Sequence, residues 1–424
     1  MNYKTLALTS GLAFGLAGIT MANPIKTIPW NGHVGAVSFT FDDALENQVE
    51  NLKPILDELK DAHVTFFLTG MGSGFTQKAD GFAALANSGH ELGNHSETHD
   101  HLNGASQTEE DLNREIVKFA ETIEKKFAEN GAIIRITSFA TPFCENNDKV
   151  KSIINQHHFI NRDCGWHGRN EWDTEPDWLS IKAKIWTRSG ATVDEMLSSL
   201  DTAAFIGNFE GANPWDVQVN GGSWLVVLNH GVNDDSGDDY AIDPADIKKI
   251  IQHAIEDKLW VAPFGTIGAY YRAHFIVDAA KETTTDDGFT VEWAIPNEHM
   301  PASIPLRVNI DTKSVSENAI VEQGGKAIKR ESDGSYVIEF TEKSLKVRKP
   351  KPGENPDSVT SLPGSAARAL ANSPKYTKYT LFDLNGNDLG NVNGFEVPAK
   401  FSKGTYIIRA EANGQVTVSK KVSR

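Results

Sequence analysis

Two short segments of the chain contain the residue types that metal-assisted hydrolysis needs. Asp42 and Asp43 follow the apolar run Ser38–Phe41, and His95 and His99 lie four positions apart further along the chain. One aspartate and two histidines form a catalytic ligand set for a divalent metal, and they leave coordination positions open for water and substrate. The second aspartate would then stay unligated and could act as a base toward water.

Each segment taken alone also fits a purely structural role. An aspartate directly after a strand often caps the helix that follows, and Asp43 alone is best explained in this way. Two histidines at this spacing also fit a solvated surface. If the segment from His95 to His99 forms one helical turn, both imidazoles lie on one face and can share a metal. The combination of the two segments favours the metal site.

Alternating strand-like and helix-like segments over residues 34–265 predict an α/β domain. Asp42, His95, Phe143 and His230 each lie just after a strand-like segment. In (β/α) barrels, chemistry gathers at the C-terminal ends of the strands. We therefore expect a (β/α) barrel that brings these residues together at that end. The predicted strands include 34–41, 63–69, 133–139, 159–162, 223–229 and 259–263.

Three motifs in this order resemble those of a known family of enzymes. Thr40-Phe41-Asp42-Asp43 and His95-Ser96-Glu97-Thr98-His99 are similar to the first two motifs of the polysaccharide deacetylases with a NodB homology domain, also called carbohydrate esterase family 4. Val227-Leu228-Asn229-His230 resembles the late motif of that family. The resemblance covers about residues 35–270 and implies a distorted (β/α) barrel of the NodB-homology type.

The resemblance also implies a role for each matching residue. Asp43, His95 and His99 would bind the metal, which is usually zinc in this family. Asp42 would be the base that takes a proton from the attacking water. His230 would be the acid that protonates the leaving group, although a histidine at a strand end also fits a structural role.

The third motif of the family is matched only in part. Phe139-Ala140-Thr141-Pro142-Phe143 has Ala140 where the family often has arginine. Phe143 would still donate its backbone N–H to the oxyanion, since any residue except proline can do so. Arg162, at the end of another predicted strand, is a candidate for the missing guanidinium that orients Asp42. An ordinary surface arginine is the alternative.

Composition and the amino terminus bear on location and partners. Residues 1–22 are predicted to be a secretory signal peptide, because Lys4 precedes an apolar stretch and Thr20-Met21-Ala22 offers a cleavage site. A retained membrane anchor is the alternative. We expect a secreted or cell-surface protein without a membrane span in its mature form. The net charge of −16 over 424 residues argues against nucleic acid or an anionic membrane as a partner.

The chain contains two cysteines, Cys144 and Cys164. An exported protein meets an oxidising environment, which allows a disulfide between them. Two buried free thiols are the alternative, and the count alone does not decide between the two.

After about residue 285 the sequence pattern predicts short strands separated by turn residues. We predict a barrel, a β-sandwich-like appendage, a linker and a small C-terminal β module. Tyr379–Gly386 and Lys403–Arg409 resemble the C-terminal β modules that direct proteins through the type IX secretion route. That resemblance implies the secretion machinery as a partner; a spacer or carbohydrate-binding module is the alternative. The predicted boundaries are 30–275, 280–345, 346–375 and 376–424.

These features predict a secreted, metal-dependent hydrolase that removes O-linked or N-linked acetyl groups from a polysaccharide, such as acetylxylan or a chitin-like glycan. The alternative is a deacetylase-like protein that binds glycans without turnover, and Ala140 keeps that alternative open. The acidic run 233–239 follows His230 directly. It fits calcium binding, the shaping of substrate access or a solvated loop, and the solvated loop is favoured.

Overall fold

The structure is a computed structural model, and it describes most of the chain between residues 23 and 423. The predicted signal peptide and most of the predicted linker lie outside the described residues. The described residues are 23–104, 107–165, 167–204, 222–354, 378–382, 388–391, 404–412 and 415–423.

Strands and helices alternate through the first described part, as the sequence predicts. The strands are β1 (Ile25–Thr27), β2 (Ala36–Phe41), β3 (Thr65–Leu68), β4 (Glu91–Asn94), β5 (Ser138–Ala140), β6 (Ile160–Cys164), β7 (Arg169–Glu171), β8 (Ile181–Ile185), β9 (Ser223–Asn229) and β10 (Trp260–Val261). The α-helices are α1 (Lys53–Glu58), α2 (Ser73–Gln77), α3 (Ala79–Asn87), α4 (Glu109–Leu112), α5 (Phe119–Glu129), α6 (Asp148–Ile154), α7 (Val193–Ala204), α8 (Pro244–Glu256) and α9 (Phe264–Ala279). Two π-helical segments adjoin α1 and α5, at Gln48–Leu52 and Asn113–Lys118.

Seven parallel strands close into a barrel in the order β2, β3, β4, β5, β6, β8 and β9, with β9 pairing back onto β2. Every residue of β2 and β9 is buried, as expected for strands covered on both faces. The barrel is distorted, because β10 pairs with the start of β2 while β3 pairs with its end. The expected distorted (β/α) barrel is therefore confirmed.

Apolar residues at helical spacing attach the helices to the barrel. In α5, Phe119, Ile123 and Phe127 are buried on one face, which follows the helical repeat. The preceding α4 begins at a capping box, in which Thr108 and Asp111 exchange side-chain and backbone hydrogen bonds. These helices fix the loops that connect them to the strand ends.

Two antiparallel sheets, formed by β1 and by strands that follow the barrel, confirm the expected β-sandwich-like part. One sheet has the order β1-β13-β16 and the other β11-β12-β17-β14-β15. Apolar residues of both sheets, such as Val308 and Val347, belong to one core that continues to Phe264 at the start of α9. The new strands are β11 (Lys281–Thr285), β12 (Gly288–Glu292), β13 (Pro305–Ile310), β14 (Ile320–Gln323), β15 (Lys326–Ala327), β16 (Tyr336–Glu339) and β17 (Ser344–Arg348).

The end of the sandwich lies beyond the predicted start of the linker at residue 346. Strand β17 extends to Arg348, whose guanidinium contacts Glu322 at 2.6 Å and Glu354 at 2.7 Å. The buried charge of Arg348 is thus neutralised from both sides, and this network keeps the segment in the sheet.

A separate four-stranded antiparallel sheet forms the small C-terminal module, in the order β19-β18-β20-β21. Its role in secretion stays a prediction. Within the described part of the chain, no helix combines the length and apolarity needed to cross a bilayer. The strands are β18 (Lys378–Phe382), β19 (Asp388–Asn391), β20 (Gly404–Ala412) and β21 (Gln415–Ser423).

Candidate active site

Asp43, His95 and His99 converge at the C-terminal edge of the barrel. Their ligand atoms all lie within 4.8 Å of one another. The Asp43 Oδ1 atom is 3.3 Å from His99 Nε2 and 3.7 Å from His95 Nε2. Two imidazole nitrogens and one carboxylate oxygen suit zinc and related divalent metals. The residues present therefore fit the metal that the motifs imply.

His95 is held in the orientation and protonation state that a ligand needs. Its Nδ1 lies 2.7 Å from the carbonyl oxygen of Ala140. An Nδ1–H donor there leaves Nε2 as the bare nitrogen that faces Asp43. Burial and then the nearby Arg162 guanidinium lower the pKa of His95 to about 3. The imidazole is therefore neutral near pH 7, as metal ligation requires.

The segment from His95 to His99 is a loop, so the helical turn considered for it is wrong. Ser96 and His99 have φ angles of 66° and 55°, which a right-handed helix does not contain. The buried Glu115 carboxylate accepts hydrogen bonds from the Thr98 N–H at 2.8 Å and the Thr98 hydroxyl at 3.0 Å. The two imidazoles converge because Glu115 holds this loop, not because they share a helical face.

Left-handed backbone conformations are concentrated in the loops of this site. Such conformations cost about 1–2 kcal/mol per residue outside glycine, so they persist only where the surroundings hold them. A disulfide between Cys144 and Cys164, with Cα atoms 5.4 Å apart, ties one of these loops to β6. Of the two alternatives for the cysteines, the structure has the disulfide. The residues with positive φ in the site loops are Asp43, Ala44, Ser96, His99, Phe143 and Cys144.

Asp42 forms a buried ion pair with Arg162. The Arg162 Nη2 atom lies 2.5 Å from Asp42 Oδ2, and the side chains are 0% and 2% exposed. The guanidinium also lies over the ring of Phe67. Among the described residues, the other oxygen of Asp42, Oδ1, is buried without a hydrogen-bond partner. Asp42 thus has one oxygen fixed by a cation and one left for another group.

Arg162 comes from β6, whereas the family motif has its arginine at the position of Ala140. The structure therefore places a guanidinium beside Asp42 from a different strand than the motif suggests. Ala140 contributes its backbone carbonyl to His95 instead. The assignment of Arg162 as the residue that orients Asp42 stays a prediction.

His230 approaches the second oxygen of the Asp43 carboxylate. Its Nε2 atom is 3.9 Å from Asp43 Oδ2, and its side chain is partly exposed. Within the described residues its Nδ1 atom has no hydrogen-bond partner. The buried Gln48 side chain donates to the carbonyl oxygens of Asp42 at 2.6 Å and His230 at 3.0 Å. Gln48 therefore fixes the distance between the two predicted catalytic strand ends.

Phe143 lies next to the predicted metal ligands, with its side chain half exposed. Its ring meets His99 edge-on at 4.7 Å and stacks on His101 at 4.0 Å. In the described part of the chain its backbone N–H has no hydrogen-bond acceptor, as a donor to an oxyanion requires. His101 is in turn 2.9 Å from Glu145, which limits the rotation of the stacked pair.

Gln48 and Glu115 position the site but were not expected from the sequence. For Glu115 a signal exists, because it lies three residues after Leu112 and four before Phe119. Those spacings place a carboxylate on the apolar face of a helix, which requires a polar partner. Gln48 follows no comparable pattern.

Comparison with known proteins supports the resemblance that the motifs indicate. Residues 31–160 match the family model described as polysaccharide deacetylase. No curated protein matches the chain. The match to the family model supports a polysaccharide deacetylase domain in the barrel.

Solved structures similar to this chain have low sequence identity to it. The Xyl-CE4 domain of a multidomain xylanase from the hindgut metagenome of Trinervitermes trinervoides is 14% identical, with 54% of this chain and 87% of that chain covered and a TM-score of 0.34. The Bc1960 peptidoglycan N-acetylglucosamine deacetylase is 20% identical, with 57% of this chain and 90% of that chain covered and a TM-score of 0.36. BA3943, a CE4 family pseudoenzyme from Bacillus anthracis, is 16% identical, with 55% of this chain and 65% of that chain covered and a TM-score of 0.35.

Proposed function

We propose that this protein is a secreted, metal-dependent hydrolase that removes acetyl groups from a polysaccharide. The observation that carries the proposal is the convergence of Asp43, His95 and His99 beside an unligated aspartate, Asp42, whose charge is paired with Arg162. The match of residues 31–160 to the polysaccharide deacetylase model supports the same chemistry. Acetylxylan and chitin-like glycans are the proposed substrates, and zinc is the proposed metal.

Each residue around the proposed metal ligands has a separate role in hydrolysis. A divalent metal held by Asp43, His95 and His99 would supply Lewis acidity toward water and the acetyl carbonyl. Asp42 accepts the proton of the attacking water at Oδ1, while Arg162 holds Oδ2 in place. The Asp42 carboxylate is buried, so little competing solvent reaches it.

The tetrahedral state and its breakdown need two further groups. The Phe143 N–H donates a hydrogen bond to the oxygen that becomes negative, and one such donor typically contributes roughly 3 kcal/mol. His230 donates a proton to the leaving oxygen or nitrogen of the sugar as the bond to the acetyl carbon breaks. Acetate and the deacetylated sugar are the products. The same groups serve an ester or an amide.

Acetate release provides the direct test. The full chain, loaded with zinc, would be incubated with acetylated xylan and with chitin oligomers, before and after removal of the metal by a chelator. We expect release from at least one glycan, loss of release with the chelator, and recovery on addition of zinc. Folded, zinc-loaded protein that releases no acetate from any acetylated glycan would contradict the proposal and favour a glycan-binding role without turnover.

A further inference from the structure

Large exposed apolar side chains are concentrated at one end of the barrel. Among the described residues, those of this kind are Met71, Phe143, Ile185 and Tyr240, which are 70%, 50%, 46% and 65% exposed. Each lies at or after the C-terminal end of a barrel strand: β3, β5, β8 or β9. An apolar surface that collects on the edge bearing the candidate active site indicates a binding surface.

Tyr240 is the most specific member of this group, because its ring faces a predicted catalytic residue. The ring lies 5.5 Å from that of His230, at 78°. Its hydroxyl-bearing side chain is otherwise largely exposed. A tyrosine offers an apolar face and a polar tip, which suits the mixed surface of a sugar ring.

The loop that carries Tyr240 is held rigidly by one arginine. The Arg188 guanidinium donates to the backbone carbonyls of Asn233 and Asp238 at 2.6 Å each, and also to that of Asp235. The Tyr240 N–H donates to the Asp238 side chain at 3.1 Å. The acidic run therefore wraps around Arg188. A ring presented on such a loop loses little conformational freedom on binding.

Phe143 and Tyr240 contact different histidines, and these two histidines approach different oxygens of the Asp43 carboxylate. In the barrel order β9-β2-β3-β4-β5, strands β2, β3 and β4 lie between the strand that precedes Tyr240 and the one that precedes Phe143. Phe143 contacts His99 and Tyr240 contacts His230, and both histidines approach the Asp43 carboxylate at 3.3 Å and 3.9 Å. The two exposed rings thus flank the metal ligands.

We propose that Tyr240 forms a subsite for a sugar next to the acetylated one, so that the site acts on an extended glycan chain. The chain crosses the metal ligands, with one neighbouring sugar on Tyr240 and another on the side of Phe143. This inference rests on the proposed function and adds a specificity-determining residue: Tyr240 makes the site prefer a long acetylated glycan over a short one. Stacking of a sugar on the tyrosine ring supplies the preference.

The test compares chain lengths of one glycan, so that the leaving group stays the same. kcat/KM for acetate release would be measured on acetylated dimers and hexamers, for the wild type, Tyr240→Ala and Tyr240→Phe. We expect Tyr240→Ala to lower the hexamer-to-dimer ratio of kcat/KM about tenfold. Tyr240→Phe keeps the ring and should keep the wild-type ratio.

Each other outcome has a separate meaning. An equal loss for dimer and hexamer would show that Tyr240 only positions His230, and an unchanged ratio would show no subsite; either result overturns the inference. If the wild type releases no acetate, the proposed function fails, and the inference is then judged by calorimetry with the hexamer. Tyr240→Ala should weaken hexamer binding about tenfold, and equal affinity would overturn the subsite.

Discussion

The two ends of the barrel both contain histidines, but they present them to different surroundings. At the N-terminal end, a cavity of about 1080 Å³ is lined by His33, His63 and Trp260, among others. At the C-terminal end, His95 and His99 face the carboxylate of Asp43. Among the described residues, two groups of possible metal ligands converge, and neither group lines the N-terminal cavity. The first group is Asp43, His95 and His99, and the second is Asp201, His253 and Asp257.

His90 and His95 make the comparison sharp, because burial lowers the pKa of each to about 3. His90 uses Nδ1 to accept a hydrogen bond from the Val64 N–H at 3.1 Å, which is a structural role. His95 turns Nε2 toward Asp42 and Asp43, at 3.6 Å and 3.7 Å. Burial, histidine density and cavity volume therefore do not distinguish the candidate active site from the other end of the barrel. The atoms that each imidazole faces distinguish the two ends.

The largest expected difference between the two ends is in turnover. Asp42→Asn should lower kcat by roughly 10²- to 10⁴-fold, because the amide cannot take up the proton of water. The metal ligands stay intact, so bound zinc should not change. His63→Ala, at the N-terminal cavity, should keep the wild-type kcat. If the two variants lost kcat to a similar extent, the C-terminal end would not be the site of turnover.

Removal of the Arg162 guanidinium should affect both activity and stability. Arg162→Met leaves the Asp42 carboxylate buried without its cation. We expect this change to lower the free energy of unfolding by about 3–5 kcal/mol. Loss of such an orienting partner lowers activity roughly 10- to 100-fold. Acetate release and urea unfolding measure the two effects. Arg330→Met, at an exposed arginine between β15 and β16, is the control; if its effects match those of Arg162→Met, Arg162 has no special role.

The disulfide should stabilise the C-terminal edge by a smaller amount. Cys144 and Cys164 are separated by 20 residues, and a cross-link of that length contributes about 3 kcal/mol. The double variant with Cys144→Ser and Cys164→Ser should lose that much free energy of unfolding in urea. It should also have a lower kcat, because the Phe143 loop is released. A reductant should have the same effect on the wild type and none on the variant.

The pH dependence of stability tests the structural histidine at the other end. The pKa of His90 falls from its ordinary 6.5 to about 3 on folding, because burial disfavours the charged form. Below pH 6.5 the unfolded chain therefore binds a proton that the folded chain does not, and stability is lost as the pH falls toward 3. His90→Asn keeps an acceptor for Val64 without titrating. Its free energy of unfolding should fall less steeply, by about 1.4 kcal/mol per pH unit.

The barrel and the convergence of Asp43, His95 and His99 could be predicted because they depend on local sequence. The apolar run before Asp42 forms a buried strand wherever it pairs, and strand ends gather at one edge of a closed barrel. The spacing of His95 and His99 indicated a shared metal even though the segment is a loop. Its shape depends on Glu115, a residue from the following helical segment.

The contacts across the barrel could not be predicted from local patterns. Arg162 and Asp42 are separated by 120 residues, and their strands β6 and β2 are not neighbours in the sheet. Their contact depends on the closure and register of the whole barrel. The same holds for the packing of Tyr240 on His230, since its loop takes its shape from Arg188. Both arrangements depend on residues that are far apart in the chain, so neither can be predicted from local sequence.

Zinc content tests most directly whether Asp43, His95 and His99 bind one metal ion. Purified wild type, His95→Ala, His99→Ala and the control His63→Ala would be equilibrated with zinc, dialysed and analysed for zinc per chain. We predict a single zinc ion in the wild type and in His63→Ala, and a large loss in the other two variants. Unchanged zinc content in His95→Ala and His99→Ala would contradict the ligand set and the mechanism built on it.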